Sequence, residues 1–172
     1  MDAIGREIIA QLQWDGRMSV TDLARRARLS VSACHRRLKD MEREGVIRGY
    51  HAEIDPAALG LSFEALVMVT MGRTDQSTVA AFEAAVVREP AIVSAERLFG
   101  ETDYILRTLS RDLAGYQELY DTVLGTLPGV ERLTSTMVMK RIGPAGPGPR
   151  LWDVAPGRRG TAEGRSGATP RR

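Results

Sequence analysis

The chain has 172 residues, 43% of them hydrophobic and 27% charged, which suits one ordinary domain or two small ones and excludes a chain that cannot build a core. No apolar run approaches the roughly 20 residues a membrane span needs, and the first residues lack the basic and apolar stretches of a secretion signal. The single cysteine, Cys34, excludes an internal disulfide and fits a reducing cytoplasm. The net charge of +2 divides unevenly: residues 1–50 carry ten Lys/Arg against seven Asp/Glu, residues 51–142 eight against thirteen, and residues 143–172 six against two. A basic head, an acidic middle and a basic tail direct any nucleic-acid contact to the head.

The head reads as three short helices. Ile4, Ile8, Ile9 and Leu12 share one helical face, closed by Asp15-Gly16. Ser19 or Thr21 caps a second helix with Val20, Leu23, Ala24 and Ala27 turned inward. After the short turn Arg28-Leu29-Ser30, Ser30 caps a third helix whose inward face is Val31, Cys34, Leu38 and Met41, ended by Gly45. From Ile47 to Ile54, Tyr50, Ala52 and Ile54 alternate as in a strand, stopped by Asp55-Pro56. Residues 1–54 therefore read as a helix-turn-helix domain and 55–61 as a linker.

The period then changes. Ser62 to Met71 reads as a strand. Ser77 caps a helix carrying Val79, Phe82 and Val86 on one face, and Ile92 to Leu98 is a second strand. Gly100-Glu101-Thr102-Asp103 turns into a third strand, Tyr104 to Leu109. Leu113, Tyr116, Tyr120, Val123 and Leu127 mark another helix, stopped by Pro128-Gly129, and Val130 to Ile142 is the last strand. The order β-α-β-β-α-β over residues 62–142 is that of a ferredoxin-like sandwich, so the fold class is α+β. Both helices of such a unit cover one face of the sheet. Phe63, Ala65, Val67 and Val69 point one way, Leu66 and Met68 the other; Leu133, Met137 and Met139 oppose Val138. Both faces are largely apolar, and pairing of two sheets in a homodimer is the simplest way to keep the bare one dry. From Gly143 onward twelve of thirty residues are Gly or Pro, which predicts a disordered basic tail over 143–172.

The exposed side of the third helix offers Ser32, Ala33, His35, Arg36, Arg37 and Lys39, with Ser30 at its start. A recognition helix needs small residues near its N-terminus for close approach to base edges and basic residues further on for phosphates. Ala33 suits a thymine methyl, and Arg36 or His35 a guanine. On composition alone, an ordinary helical hairpin with a solvated basic face explains the same residues. In the turn Gly100-Glu101-Thr102-Asp103-Tyr104, the glycine permits a tight reversal, Asp103 suits an ammonium group and backbone N–H groups suit a carboxylate. Thr134, Ser135 and Thr136 add hydroxyls, although a plain hairpin with polar turn residues is the simpler reading. Cys34, His35 and His51 do not form a zinc site at these spacings, and no phosphate loop or nucleophile–base arrangement stands out. No metal, cofactor or catalytic residue is expected.

Asp15-Gly16-Arg17, Asp22-Leu23-Ala24, Leu29-Ser30, Cys34, Arg37, Gly45-Val46-Ile47, Gly49-Tyr50 and Asp55-Pro56 together closely resemble the leucine-responsive regulator/AsnC (feast-famine) family. The Gly100–Tyr104 turn and Leu127-Pro128-Gly129-Val130 resemble that family's effector-binding domain, and the likeness spans about residues 1 to 142. The resemblance implies a winged or strand-tethered helix-turn-helix, dimers paired through the sheet and often joined into octameric rings, and amino-acid effectors bound between dimers. It places effector binding in the turn of Gly100, Glu101, Thr102, Asp103 and Tyr104; the two-residue alternation of the last strand puts Thr134 and Thr136 on one face as further candidates. Gly5 stands where the family usually has an acidic residue, Glu101 where it usually has Asp, and the Gly/Pro/Arg tail is not a family feature. The expected protein is a cytoplasmic, non-enzymatic regulator that binds double-stranded DNA and answers to an amino acid or related metabolite. Two alternatives remain in view: an effector-independent architectural protein, and a subunit resembling sirohaem decarboxylase.

Overall fold

The computed structural model describes residues 1–140 and 142; the expected basic tail, 143–172, lies outside the described residues. Two compact units, Met1–Ala52 and Glu53–Ile142, are each considered by itself. In the first, α1 (Ala3–Trp14), α2 (Val20–Arg26) and α3 (Val31–Arg43) each begin at an oxygen-bearing cap: Asp2, Ser19 and Ser30 accept from the backbone N–H of Gly5, Asp22 and Ala33. Such caps satisfy donors that the first helical turn leaves without partners. The faces that periodicity turned inward enclose Ile8, Leu23, Ala24, Ala27, Cys34 and Met41, with Ile4, Leu12, Val20 and Leu38 against them. Val31 departs from that reading. It is 49% exposed, because the first residue of α3 precedes the point where the helix meets the other two.

Gly45, at φ 70°, closes α3, and residues 48–55 follow without regular secondary structure. The strand expected over Ile47–Ile54 is therefore absent, and Tyr50 and Ile54 remain exposed. Alternation marks a segment that could present one face, but a strand also needs a neighbour to take its backbone hydrogen bonds. None is present here among the described residues.

The second unit opens with a 3-10 turn, Pro56–Leu59, capped by Asp55. Then come β1 (Phe63–Met71), α4 (Gln76–Arg88), β2 (Ile92–Arg97), β3 (Tyr104–Ser110), α5 (Leu113–Thr122) and β4 (Val130–Met137). The antiparallel sheet runs β2-β3-β1-β4, so the first and third strands lie at its centre, as the split β-α-β order requires. Ala65, Val67, Val69 and Met71 alternate inward along β1 and pack with Leu106, Phe82, Val86, Tyr116 and Leu119 beneath the helices. The cap of α4 is Asp75 rather than Ser77. Asp75 takes the Thr78 N–H at 3.0 Å, and Ser77 donates its hydroxyl to the same carboxylate. The hydroxyls of Ser77 and Thr78, with that N–H, hold Asp75 far below the ordinary carboxylate range.

The last strand stops at Met137, five residues short of expectation. Its pairing to β1 ends at Ala65↔Met137, followed by one further bond from Val138 N–H to the Glu64 carbonyl. Beyond that point only Phe63 of β1 remains. Gly129, at φ 73°, turns the chain into β4; a Cβ there would stand 2.2 Å from the Thr78 side chain, so the position admits only glycine. The face away from the helices carries Leu66, Met68, Ile105, Arg107 and Leu109, all half-buried, with Arg107 paired to Glu64 across it. No helix among the described residues is long and apolar enough to cross a membrane.

Candidate functional site

The geometry of α3 sorts its polar residues. Ser30 Oγ accepts the Ala33 N–H at 3.2 Å and lies 3.2 Å from Ser32 Oγ, which fixes the helix start. Ser32, His35, Arg36 and Lys39 are exposed along one stripe, at spacings of three and four, and Ala33 is half-buried at its margin. Arg36 has no ion-pair or hydrogen-bond partner among the described residues, whereas Lys39 holds Glu42 at 3.0 Å. That ammonium, with the Tyr50 hydroxyl at 3.1 Å, keeps the Glu42 carboxyl below its usual range.

Arg37 is set apart from this stripe. Its guanidinium reaches Asp2 at 2.9 Å, at the N-cap of α1. The Gly5 N–H and then Arg37 hold the Asp2 carboxyl below its ordinary range. Arg37 thus ties the third helix to the first. Cys34 is fully buried, and burial pushes its thiol up, so it acts as a small core residue and not as a nucleophile. Sequence reasoning missed the exposure of Val31 and the conformation of Arg28, whose φ of 55° is the only positive value at a non-glycine residue among those described.

Gly100, Glu101, Thr102 and Asp103 do form the β2–β3 turn. Asp103 is engaged there: its Oδ2 accepts the Met71 N–H at 2.7 Å, and its own N–H donates to the Val69 carbonyl at 2.9 Å. The carboxylate therefore pins the turn to the end of β1. Tyr104 faces the other side of the sheet. It is buried against Phe82, with ring centroids 4.6 Å apart, and its hydroxyl donates to Glu83 at 2.8 Å. Burial, and then the Glu83 carboxylate, push its pKa up to about 12.

Thr134 and Thr136 lie on the face opposite Tyr104, paired with Met68 and Leu66. Thr134 stands two strands from Ile105, roughly 10 Å across the sheet, and Thr136 is two residues further from the turn. Within one protomer these hydroxyls and the turn do not converge. Phe99, beside Gly100, is wholly exposed. No three His, Cys, Asp or Glu side chains among the described residues group as a metal site would need.

Comparison with known proteins matches both units. Residues 64–147 match the family model described as Lrp/AsnC ligand binding domain, and residues 1–48 that of a winged helix-turn-helix DNA-binding domain. The Bkd operon transcriptional regulator of Pseudomonas aeruginosa is 33% identical over 142 residues, 83% of this chain and 93% of that protein. The leucine-responsive regulatory protein of Salmonella typhimurium is 34% identical over 142 residues, 83% and 87% of the two chains. Among solved structures, a transcriptional regulator from Neisseria meningitidis in complex with L-Met superposes with a TM-score of 0.80. It is 32% identical, and the match covers 87% of this chain and 96% of that one.

Proposed function

This chain belongs to the Lrp/AsnC family of DNA-binding transcriptional regulators, and from that membership we propose that an amino acid or related small zwitterion controls how it assembles on DNA. The capped third helix reads the major groove through Ser32, Ala33, His35 and Arg36, while Lys39 holds a phosphate. A homodimer presents two such helices to a roughly palindromic site. The dimer forms through the open sheet face, where Leu66, Met68, Ile105 and Leu109 would otherwise meet water. Dimers join further, to an octamer, in the cytoplasm alongside the genome. The observation that carries the reading is the likeness, over nearly the whole of both chains, to a regulator that was solved with L-Met bound.

The effector lies at the β2–β3 turn, where neighbouring dimers meet. Glu101 or the remaining oxygen of Asp103 takes its ammonium, and backbone N–H groups of the turn take its carboxylate; Thr134 and Thr136, on the sheet face that pairs the dimer, stand outside this site. A ligand shifts an assembly only by its differential affinity for two states. A site completed by two dimers supplies that difference.

Calorimetry against a panel of amino acids, with sedimentation in the presence and absence of each, tests the proposal: one of them binds and shifts the assembly. Arg36→Ala weakens operator binding by about 1–3 kcal/mol if Arg36 makes a bidentate base contact, and unchanged affinity removes it from the reading surface. A second reading, an architectural protein without an effector, draws support from the Asp103 carboxylate already bound to Met71. Absence of binding by every amino acid in the panel would favour it.

A further inference from the structure

The turn between α2 and α3 holds the one non-glycine residue with positive φ among those described, Arg28 at 55°. Glycine adopts this left-handed region freely, and a residue with a Cβ does so at a cost. The conformation has a local purpose. With Arg28 left-handed, the Leu29 N–H returns to the Ala24 carbonyl at 2.9 Å and closes α2, as a glycine-type C-cap does. Ser30 then starts α3. Where α3 and the Pro56–Leu59 turn end, glycine fills the corresponding left-handed position, Gly45 at φ 70° and Gly60 at φ 76°.

An arginine here returns nothing to the fold that would offset the strain. Its side chain is exposed and makes no hydrogen bond or ion pair among the described residues. It shares that freedom with Arg36 on the reading stripe, whereas Arg25 binds Asp22, Arg26 binds Gln11 at 2.8 Å, Arg37 binds Asp2 and Arg43 binds Asp40. Residues held in such sparsely populated conformations cluster at functional sites. Arg28 stands two residues before the N-cap of the helix whose exposed stripe carries Ser32, His35 and Arg36, with its guanidinium uncommitted.

We propose that Arg28 is a DNA phosphate contact, a cation placed beside the N-terminus of the reading helix at a backbone position that folding alone would give to glycine. The inference rests on the DNA-binding character of the chain and adds a residue that neither helical face nor cap pattern selects. A phosphate contact carries no sequence information but fixes register on the duplex.

Full-length wild type, Arg28→Gly and Arg28→Lys are compared by fluorescence anisotropy on a labelled random-sequence duplex between about 50 and about 200 mM salt, alongside thermal unfolding. Arg28→Gly unfolds at or above the wild-type temperature, because glycine relieves the left-handed strain. It binds more weakly, and its log–log salt slope is shallower by about 0.9 for each helix-turn-helix on the duplex. For one such contact the affinity deficit therefore shrinks about 3.5-fold across that salt range. Arg28→Lys keeps the wild-type slope. The proposal is overturned if Arg28→Gly binds with wild-type affinity and slope, if the lysine variant loses as much as the glycine one, or if weaker binding comes with a lower unfolding temperature. If wild type binds no duplex, the DNA-binding reading itself fails, an outcome distinct from these three.

Discussion

Replacing Asp103 by Ala removes the acceptor for the Met71 N–H, a 2.7 Å bond at the irregular end of β1 where the register to β4 shifts. Met71 is only 7% exposed, so water does not readily take over. A hydrogen bond to a charged acceptor contributes about 1.5–3 kcal/mol, and a donor left buried without one costs a similar amount. The expected loss is thus about 2 kcal/mol, which in a chain of this size lowers the unfolding midpoint by roughly 4–8 °C. Asp103→Asn keeps an oxygen in the same place and should lose about half as much, because a neutral acceptor bonds less strongly. Thermal unfolding of the full-length protein, at one fixed concentration for all three, measures both shifts. An alanine variant melting within about 1 °C of wild type would refute the structural role derived for this carboxylate. The asparagine variant is then the clean probe of effector binding, since it removes the charge while leaving the turn anchored.

Two more outcomes follow from the sheet. The fold holds the Tyr104 phenol protonated up to about 12, against an ordinary value of 10.0; its contribution to stability is complete below pH 10, is lost as the pH rises toward 12, and appears in a phenolate absorbance titration as a late step that Tyr104→Phe abolishes. Met68→Arg places a charge on the half-buried open face without touching the core beneath α4 and α5; if the proposed sheet-to-sheet dimer forms, sedimentation shows the wild type as a dimer or larger and this variant as monomer, and an unchanged assembly would move the interface elsewhere.

Much of the architecture was legible because the rules that govern it are local. Ser30 stands three residues before the N–H it accepts, and the inward faces of α2 and α4 recur at spacings of three and four. Failures came where the deciding partner is distant in sequence or where two residues satisfy one rule. Tyr50, Ala52 and Ile54 alternate, but alternation says nothing about a hydrogen-bonding neighbour. Asp75 and Ser77 both suit a cap, and the stronger acceptor took the position. Arg37 looked like a surface cation because Asp2 lies thirty-five residues away.

The candidate effector turn shows the same limit. Its polar residues and the face of Thr134 and Thr136 followed from the sequence. The commitment of Asp103 to Met71, across 32 residues, and the separation of the threonines from the turn depend on strand order. Positive φ at Arg28 carried no signal at all, because sequence advertises that conformation only through glycine.

A sheet dressed on one side only also bears on how the protein is counted in a cell. If the bare face is covered by a second copy, folding free energy includes an association term, and stability rises with the chain's own concentration. Leu66 and Met68 then act as a census: scarce chains remain half-finished and easily degraded, while abundant ones complete each other. A related chain carrying a similar face would be tallied with them, so a defective copy with an intact sheet could poison the whole pool.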